Sequence, residues 1–280
     1  MPELPEVEVV RRGLEKEIKA TPFLLKFEFR RKDLRHPIPQ EKLNQLHGQK
    51  IISVERRAKF LLFRLGSAGF ISHLGMTGTW RVLENADEAQ IGKHDHILIY
   101  LGKQSQDLEP KVLVYRDPRR FGIFDFWEGN VKNLPWGVDL APEPLTDEFN
   151  EEYLFKQTRK SSRPIKSFIM DQAFVVGVGN IYASESLFLA GIRPTRRTRS
   201  LSQAECKMLT RKIKSVLEKA IAAGGSSISD FKTFYGTPGE FHLQHFVYGR
   251  EGQACRKCNT VIKVKSLAGR STFWCSRCQN

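Results

Sequence analysis

Two stretches of the sequence carry residue types that can do chemistry, and they stand at its opposite ends. Cys255-x-x-Cys258 is followed, sixteen residues later, by Cys275-x-x-Cys278, the spacing of two knuckles that each give two thiolates to one tetrahedral Zn²⁺. Four thiolates leave no position for water, so one such ion per chain holds a fold and does not catalyse. Lys263, Lys265 and Arg270 lie between the knuckles, Arg256, Lys257 and Arg277 lie beside them, and no acid occurs from 255 to 278. That hairpin suits phosphates. At the other end, Met1-Pro2-Glu3-Leu4-Pro5-Glu6 reads first as a helix start, favoured by the fixed φ of proline and by acids near the positive end of the macrodipole. It also has a sharper reading. Removal of Met1 exposes Pro2 as a secondary amine, which condenses with a sugar aldehyde to an iminium. An α-amino group with a reference pKa of ~7.7–8.0 keeps a neutral fraction at physiological pH, and Glu3 beside it can move protons.

Between these ends lie weaker signals. Lys59 follows Arg56 and Arg57 and precedes the apolar run Phe60–Phe63, where it either solubilises a strand edge or serves as a catalytic cation. Arg116-Asp117-Pro118-Arg119-Arg120-Phe121-Gly122 sets three arginines and an aromatic ring around a turn. His94-Asp95-His96 puts two imidazoles on one strand face, but without a third ligand it reads as a phosphate donor and not as a metal site. Gly177-Val178-Gly179-Asn180-Ile181-Tyr182 has Tyr where a dinucleotide fingerprint needs its third glycine, so it fails that test. What remains is a glycine turn with Asn180 as N-cap of a helix over 181–190, aiming backbone N–H groups at an anion.

The elements that must position these groups follow from periodicity. Val7, Val10, Leu14 and Ile18 recur at steps of three and four, so 3–19 is one amphipathic helix. Short apolar runs at 23–29, 50–55, 60–65, 69–74, 79–83, 96–101, 111–116 and 121–127 predict eight strands of a sandwich or flattened barrel. The proline-rich stretch Asn133 to Asp147 reads as an interdomain linker. Helices are expected at 148–158, 164–172, 181–190 and 202–223. The last opens with Ser202 and Glu205 at capping-box spacing and carries Cys206 on its buried stripe. Gly224 and Gly225 end it, and 226–244 reads as a mobile loop. The fold class is therefore α+β: a β-sandwich domain over 1–134, a linker over 135–147, a helical domain over 148–244 and a zinc ribbon over 245–280.

Composition narrows the partners. The 280 residues carry 45 Lys and Arg against 31 Asp and Glu, a net charge of +14, which points to a polyanion. With 40% hydrophobic residues and 19 Phe the chain is too apolar for disorder, while no run approaches the ~20 apolar residues of a membrane helix. The start lacks the basic and apolar regions of a secretory signal, and an odd cysteine number argues against a disulfide framework, so the expected location is the cytoplasm.

Taken together, Met1–Glu8, Arg57-Ala58-Lys59-Phe60-Leu61, Ser72–Gly78, Lys93–His96, Asp117–Gly122, Val176–Glu185 and the four-cysteine ribbon resemble one family, the bacterial formamidopyrimidine-DNA glycosylases. The resemblance implies an N-terminal β-sandwich, a helix-two-turns-helix domain centred on Gly177–Glu185 and a zinc ribbon, with damaged duplex DNA in the cleft between the halves. It implies excision of oxidised purines such as 8-oxoguanine and formamidopyrimidines through a Schiff base, then strand cleavage by β,δ-elimination, by a monomer associated with the nucleoid. By the same resemblance Pro2 is the nucleophile and Glu3 its proton partner, Lys59 assists at the sugar, and Arg270 contacts a phosphate near the lesion. Met76, Arg119 and Phe121 would fill the void left by the extruded base, and His94, Arg120, Asn180 and Tyr182 would contact DNA. The segment Lys160–Arg163 is less basic than the family's pattern, and the loop Ser226–Gly239, expected to form the base pocket, does not match it residue by residue. Two alternatives stand beside this reading: an endonuclease VIII-like glycosylase for oxidised pyrimidines, against which Leu4 and the Met76, Arg119, Phe121 set speak, and a non-catalytic zinc-ribbon DNA-binding protein, which leaves the N-terminus unexplained. A zinc deaminase is excluded because Ala254 and Trp274 precede the knuckles where its signature needs proline.

Overall fold

The computed structural model describes residues 1–84, 88–129, 140–226, 234–237 and 239–280. They form two compact units: Met1–Val138 with Gly224–Gly239, and Asp139–Ala223 with Glu240–Asn280.

The first unit opens with α1 (Leu4–Ala20), whose Val7, Val10, Leu14 and Ile18 are all buried, as the three-and-four spacing requires. Eight strands follow: β1 (Phe23–Phe29), β2 (Ser53–Arg57), β3 (Phe60–Leu65), β4 (Ala68–His73), β5 (Thr79–Leu83), β6 (Asp95–Gly102), β7 (Lys111–Arg116) and β8 (Ile123–Glu128). They make two antiparallel four-stranded sheets, ordered β1-β6-β7-β5 and β2-β3-β4-β8. Phe27, Phe63, Phe70, Trp80, Tyr115 and Phe124 share the core with α1, and Phe63 stacks on Phe70 with centroids 4.2 Å apart. Each such side chain contributes on the order of 1.5–3 kcal/mol by leaving water, so this unit is held by its apolar interior. A short helix, α2 (Gln40–Asn44), lies between β1 and β2, where the sequence carries no usable period.

In the second unit α3 (Glu151–Arg159), α5 (Asn180–Leu189) and α6 (Gln203–Ala222) form the helical layer, with the short α4 (Ile165–Ile169) packed on α5. Three boundaries differ from the sequence-based expectation for a local reason. Helix α3 starts at 151 because the Asn150 side chain accepts from Tyr153 N at 2.9 Å. Helix α4 stops at 169, not 172, and Asp171 then turns the chain by accepting from Ala173 N at 3.0 Å. The N-cap of α5 is Gly179 and not Asn180, which is the first helical residue and makes no side-chain cap. The Ser202–Glu205 capping box of α6 is present in both directions, and Cys206 is fully buried on that helix.

Strands β9 (Ile262–Leu267) and β10 (Arg270–Cys275) form the ribbon hairpin, and β10 packs on α5. A boundary expected at 244/245 does not separate compact bodies, because Phe188 of α5 shares a buried cluster with Val247, Cys255, Ile262, Phe273 and Cys275. Residues 135–139 of the expected linker and 227–233 and 238 of the loop 226–239 lie outside the described residues.

Candidate active site and metal centre

In the first unit, Pro2 and Glu3 are buried at the start of α1. Glu3 is the N-cap and forms a reciprocal capping box with Glu6, whose Oε2 accepts from Glu3 N at 2.8 Å. Oε1 of Glu6 accepts from Ser226 N, also at 2.8 Å, so one carboxylate fixes both the chain start and the turn after Gly224–Gly225. Gly225 has φ +83°, and a Cβ there would stand 3.0 Å from that oxygen. Glycine is what lets the turn close on Glu6. Lys59 is 4% exposed and sits in the two-residue turn between β2 and β3, next to Ala58 at φ +54°. Helix α1 packs on that hairpin, and an ion pair from Arg56 to Glu8 (3.1 Å) ties the two together. Burial pushes Glu8 up, but Arg11, Arg12 and Arg56 outweigh it and hold its carboxyl below the usual range.

The loops carrying Met76, Arg119 and Phe121 are clasped by one buried carboxylate. Asp117 accepts from Thr77 Oγ1 at 2.6 Å and from Gly122 N at 2.8 Å, while Thr77 Oγ1 in turn accepts from Arg119 N at 3.1 Å. Gly75, at φ +59°, lies against the Phe121 backbone so closely that a Cβ would come within 2.4 Å. Met76 and Phe121 are 36% and 42% exposed although both are apolar, and the Arg119 guanidinium lies 4.8 Å over the Phe121 ring. The two loops that carry these three side chains are thus joined by hydrogen bonds and by close backbone packing. His73 Nδ1 accepts from Gly75 N at 3.1 Å, and burial, then Lys59 and Arg35, lower this imidazole to about 4.

His94 is half-buried just before β6, and its carbonyl accepts from Asp117 N at 3.0 Å. The His94 and His96 rings lie edge to face with centroids 6.5 Å apart at 80°, and His96 Nε2 is bonded to the Asp117 carbonyl. Arg120, exposed, occupies the left-handed region at φ +57°.

In the second unit, Asn180 Oδ1 is buried at the start of α5 and has no hydrogen-bond partner among the described residues. Tyr182 is wholly buried, its ring 5.7 Å from Phe241, so its ring is inside the unit and not on its surface. Arg270 opens β10 after the turn Ala268-Gly269, both at positive φ, and is exposed. The four cysteine sulfurs lie within 4.8 Å of one another, with Cys258 Sγ 3.4 Å from both Cys275 and Cys278 and Cys255 3.9 Å from Cys278. A tetrahedral site with Zn–S near 2.3 Å has sulfurs about 3.8 Å apart, so this donor set fits zinc in chemistry and in size. Burial, then the neighbouring sulfurs, push Cys278 up to about 12, while Thr260 draws Cys258 down to about 6. A divalent cation supplies the charge that lets all four ionise.

Comparison with known proteins agrees with this geometry along the whole chain. The formamidopyrimidine-DNA glycosylase N-terminal domain matches residues 1–124, the H2TH domain of the same glycosylase matches 140–232, and the zinc finger found in FPG and IleRS matches 252–280. The formamidopyrimidine-DNA glycosylase of Bdellovibrio bacteriovorus is 52% identical over all of both chains, and that of Escherichia coli O6:K15:H31 is 45% identical over the same span. The chain belongs to the formamidopyrimidine-DNA glycosylase family. Among solved structures, the Fpg protein of Thermus thermophilus superposes with a TM-score of 0.86 at 36% identity, covering 99% of this chain and 98% of its own. A Lactococcus lactis Fpg variant in complex with a Fapy-dG containing DNA gives 0.88 at 34% identity, with both chains fully covered.

Within this glycosylase fold, three buried groups escape sequence reasoning. Glu185 on α5 is 1% exposed, and its carboxylate accepts from Phe246, Val247 and Tyr248 N at 2.8, 3.0 and 2.8 Å. Burial raises its pKa against the pull of those amides. Lys166 on α4, also 1% exposed, donates to Ser271 O and Thr272 Oγ1, both at 2.9 Å, directly beside Arg270. Asp117 is the third. Glu185 and Lys166 bond across about 60 and 105 positions, and Asp117 joins Gly122, five residues on, to Thr77, 40 positions back, so no local spacing announces what they hold together.

Proposed function

We propose that this chain excises oxidised purines from duplex DNA and then cuts the strand at the same site. The observation that carries this reading is the start of α1, where Pro2 and Glu3 are buried together beside the hairpin that bears Lys59. After Met1 is removed, the neutral secondary amine of Pro2 attacks C1′ of the damaged nucleotide. The N–C1′ bond forms as the base leaves with its electron pair and takes up a proton. Ring opening gives an iminium, which acidifies the 2′ protons. Loss of one expels the 3′ phosphate, and a second elimination expels the 5′ phosphate. Glu3 moves the protons, Lys59 steadies the sugar and its phosphate, and Arg270 holds a neighbouring phosphate. Met76 and Phe121 replace part of the stacking lost when the base is extruded, a cost of a few kcal/mol. Arg119 lies beside them, facing the base left opposite. His94, Arg120 and Asn180 bind phosphates, and Tyr182 holds the start of α5 in place from inside. The zinc supplies only structure. The related Lactococcus lactis protein has been solved with Fapy-dG DNA and with abasic-site DNA, which are a substrate and an intermediate of this scheme. The protein's place of work is then the nucleoid.

Borohydride trapping on duplexes carrying 8-oxoguanine or an oxidised pyrimidine tests this. The expected result is an adduct through the N-terminus, stronger on the purine and abolished by retention of Met1. Trapping that survives in a Pro2→Gly form retaining Met1 moves the nucleophile elsewhere.

A further inference from the structure

Helix α1 is held on two sides. Val7, Val10, Leu14 and Ile18 face the sandwich core. Glu6, Gly13 and Glu17 are buried as well, and they recur at steps of seven and four. At about 100° per residue these three fall within roughly 40° of one another, on a strip about a quarter-turn from the core stripe.

Each residue of that strip meets one from the segment after α6, which belongs to the first unit. Ser226 N donates to Glu6 at 2.8 Å. Phe234 is 2% exposed and joins the sandwich core, and it lies so close to Gly13 that a Cβ there would stand 2.6 Å from Phe234 Cβ and Cγ. Tyr235 donates its hydroxyl to Glu17 Oε1 at 3.2 Å, while Glu17 Oε2 accepts from Lys111 Nζ on β7 at 2.8 Å. Lys111 pairs in turn with Glu84 at 3.1 Å.

Gly13 is the telling position. Its φ is not positive, so the backbone does not call for glycine, and glycine inside a helix is less stable than alanine. What it provides is a notch in which an aromatic side chain reaches the helix backbone. A side chain seated in a notch one residue wide resists sliding of the helix along its axis, and the bonds at Glu6 and Glu17, on either side of it, resist rolling. The same helix carries the reacting end of the chain: Glu3 is its N-cap, and Glu6 accepts from Glu3 N. A helix moves as a rod, so a displacement at Gly13 is passed to Pro2, and a reacting group displaced by about 1 Å can lose on the order of 10²-fold in rate.

We propose that Phe234 and Tyr235 are positioning residues for the Pro2 amine. Seated on the Gly13 notch and on Glu17, they set the axial position and roll of α1, and with them the place from which Pro2 attacks C1′. This role rests on Pro2 being the nucleophile, as read above. It requires that base excision and capture of a preformed abasic site fall together, because both use the same amine.

The experiment compares wild type with Gly13→Ala, Phe234→Ala, the double variant and Tyr235→Phe. Single-turnover excision of 8-oxoguanine and borohydride trapping on a preformed abasic duplex are measured at saturating enzyme, with affinity for an undamaged duplex measured separately. Gly13→Ala, which improves helix propensity while displacing Phe234, should slow both reactions roughly tenfold or more with affinity unchanged. Tyr235→Phe, which leaves the core intact, should slow both in the same direction by less. The double variant should be no slower than Phe234→Ala, since the added methyl then has no ring to displace. Wild-type rates in a Gly13→Ala protein that melts like wild type overturn the proposal. So does a loss confined to 8-oxoguanine, which would place the action of the segment on the base and not on the amine, and so do losses that multiply in the double variant. If Phe234→Ala does not fold, Gly13→Ala and Tyr235→Phe decide alone. Wild type that is not trapped through its N-terminus defeats the reading of Pro2 itself, a separate outcome.

Discussion

The two units solve the same problem, holding a loop with one buried carboxylate, on foundations of different strength. Asp117 clasps the loops of Met76, Arg119 and Phe121, and Glu185 clasps residues 246–248 to α5. Neither acid is in a salt bridge among the described residues; each is satisfied by N–H or O–H donors. Beneath Asp117 lies a sandwich core with two sheets and α1, whereas the cluster that joins α5 to the ribbon has few apolar members and two of them are zinc cysteines. An apolar core scales with the number of residues it can enclose, and a hairpin of this size encloses almost none. The ribbon therefore depends on its metal and its polar ties, and the sandwich does not.

Removing the metal tests this comparison with the largest effect. Structural zinc in small domains binds with about 10–16 kcal/mol that is also folding energy. Chelation, or Cys275→Ala, should abolish amide protection in β9 and β10 and the orientation of Arg270, and with it excision, while strands β1–β8 stay protected. Metal analysis should give one zinc per chain. Equal loss of protection in both units would mean that the sandwich leans on the ribbon and that the contrast is false.

Substituting Glu185 gives an intermediate effect. In Glu185→Leu three amide donors lose their acceptor inside the protein, a loss on the order of 3–5 kcal/mol from the second unit. Glu185→Gln keeps one oxygen and turns an NH₂ toward an N–H, so about 1–3 kcal/mol is expected. Thermal or denaturant melting with zinc bound distinguishes them. A leucine variant as stable as wild type would show that zinc alone carries the ribbon.

What the sequence disclosed follows from the range over which each interaction acts. The eight strands and α1 were legible because burial imposes a period on neighbouring residues, and the Ser202–Glu205 box because its two partners are three residues apart. The four cysteines were legible because each knuckle is local. The helix over 164–172 was read too long because the apolar period continues where the Asp171 side chain turns the backbone. Asn180 was given the cap that Gly179 provides, since a backbone cap leaves no mark on the side chain. Glu6 with Ser226, Glu185 with 246–248 and Lys166 with Ser271 were not legible, because their partners lie between about 60 and 220 positions away and only the fold brings them together. Tyr182 was expected to contact DNA by resemblance, and its burial against Phe241 follows from the same long-range packing.

The smallest expected effect comes from acid, and it tests the sturdier unit. His73 is held neutral at about 4, against a reference of ~6.5 for the unfolded chain, with burial as the main cause. Its folded pKa is depressed, so between pH 6.5 and 4 the unfolded state binds the extra proton and stability falls as pH falls through that window. At pH 5.5 the loss from this group is about 1 kcal/mol by the same linkage. The proton enters at Nδ1, the atom that accepts from Gly75 N, so the bond that orders the turn before Met76 breaks in the same step. His245 of the second unit is also lowered to about 4, mainly by burial, so acid acts on both units where chelation acts on one. His73→Gln keeps an acceptor for Gly75 but carries no titrating group. Its melting free energy should lie closest to wild type in acid, and its amide exchange at Gly75–Thr77 should lose its pH dependence between 6.5 and 4. If the variant's curve runs parallel to that of wild type through this window, His73 does not titrate there, and the Asp117 clasp alone fixes the loop of Met76.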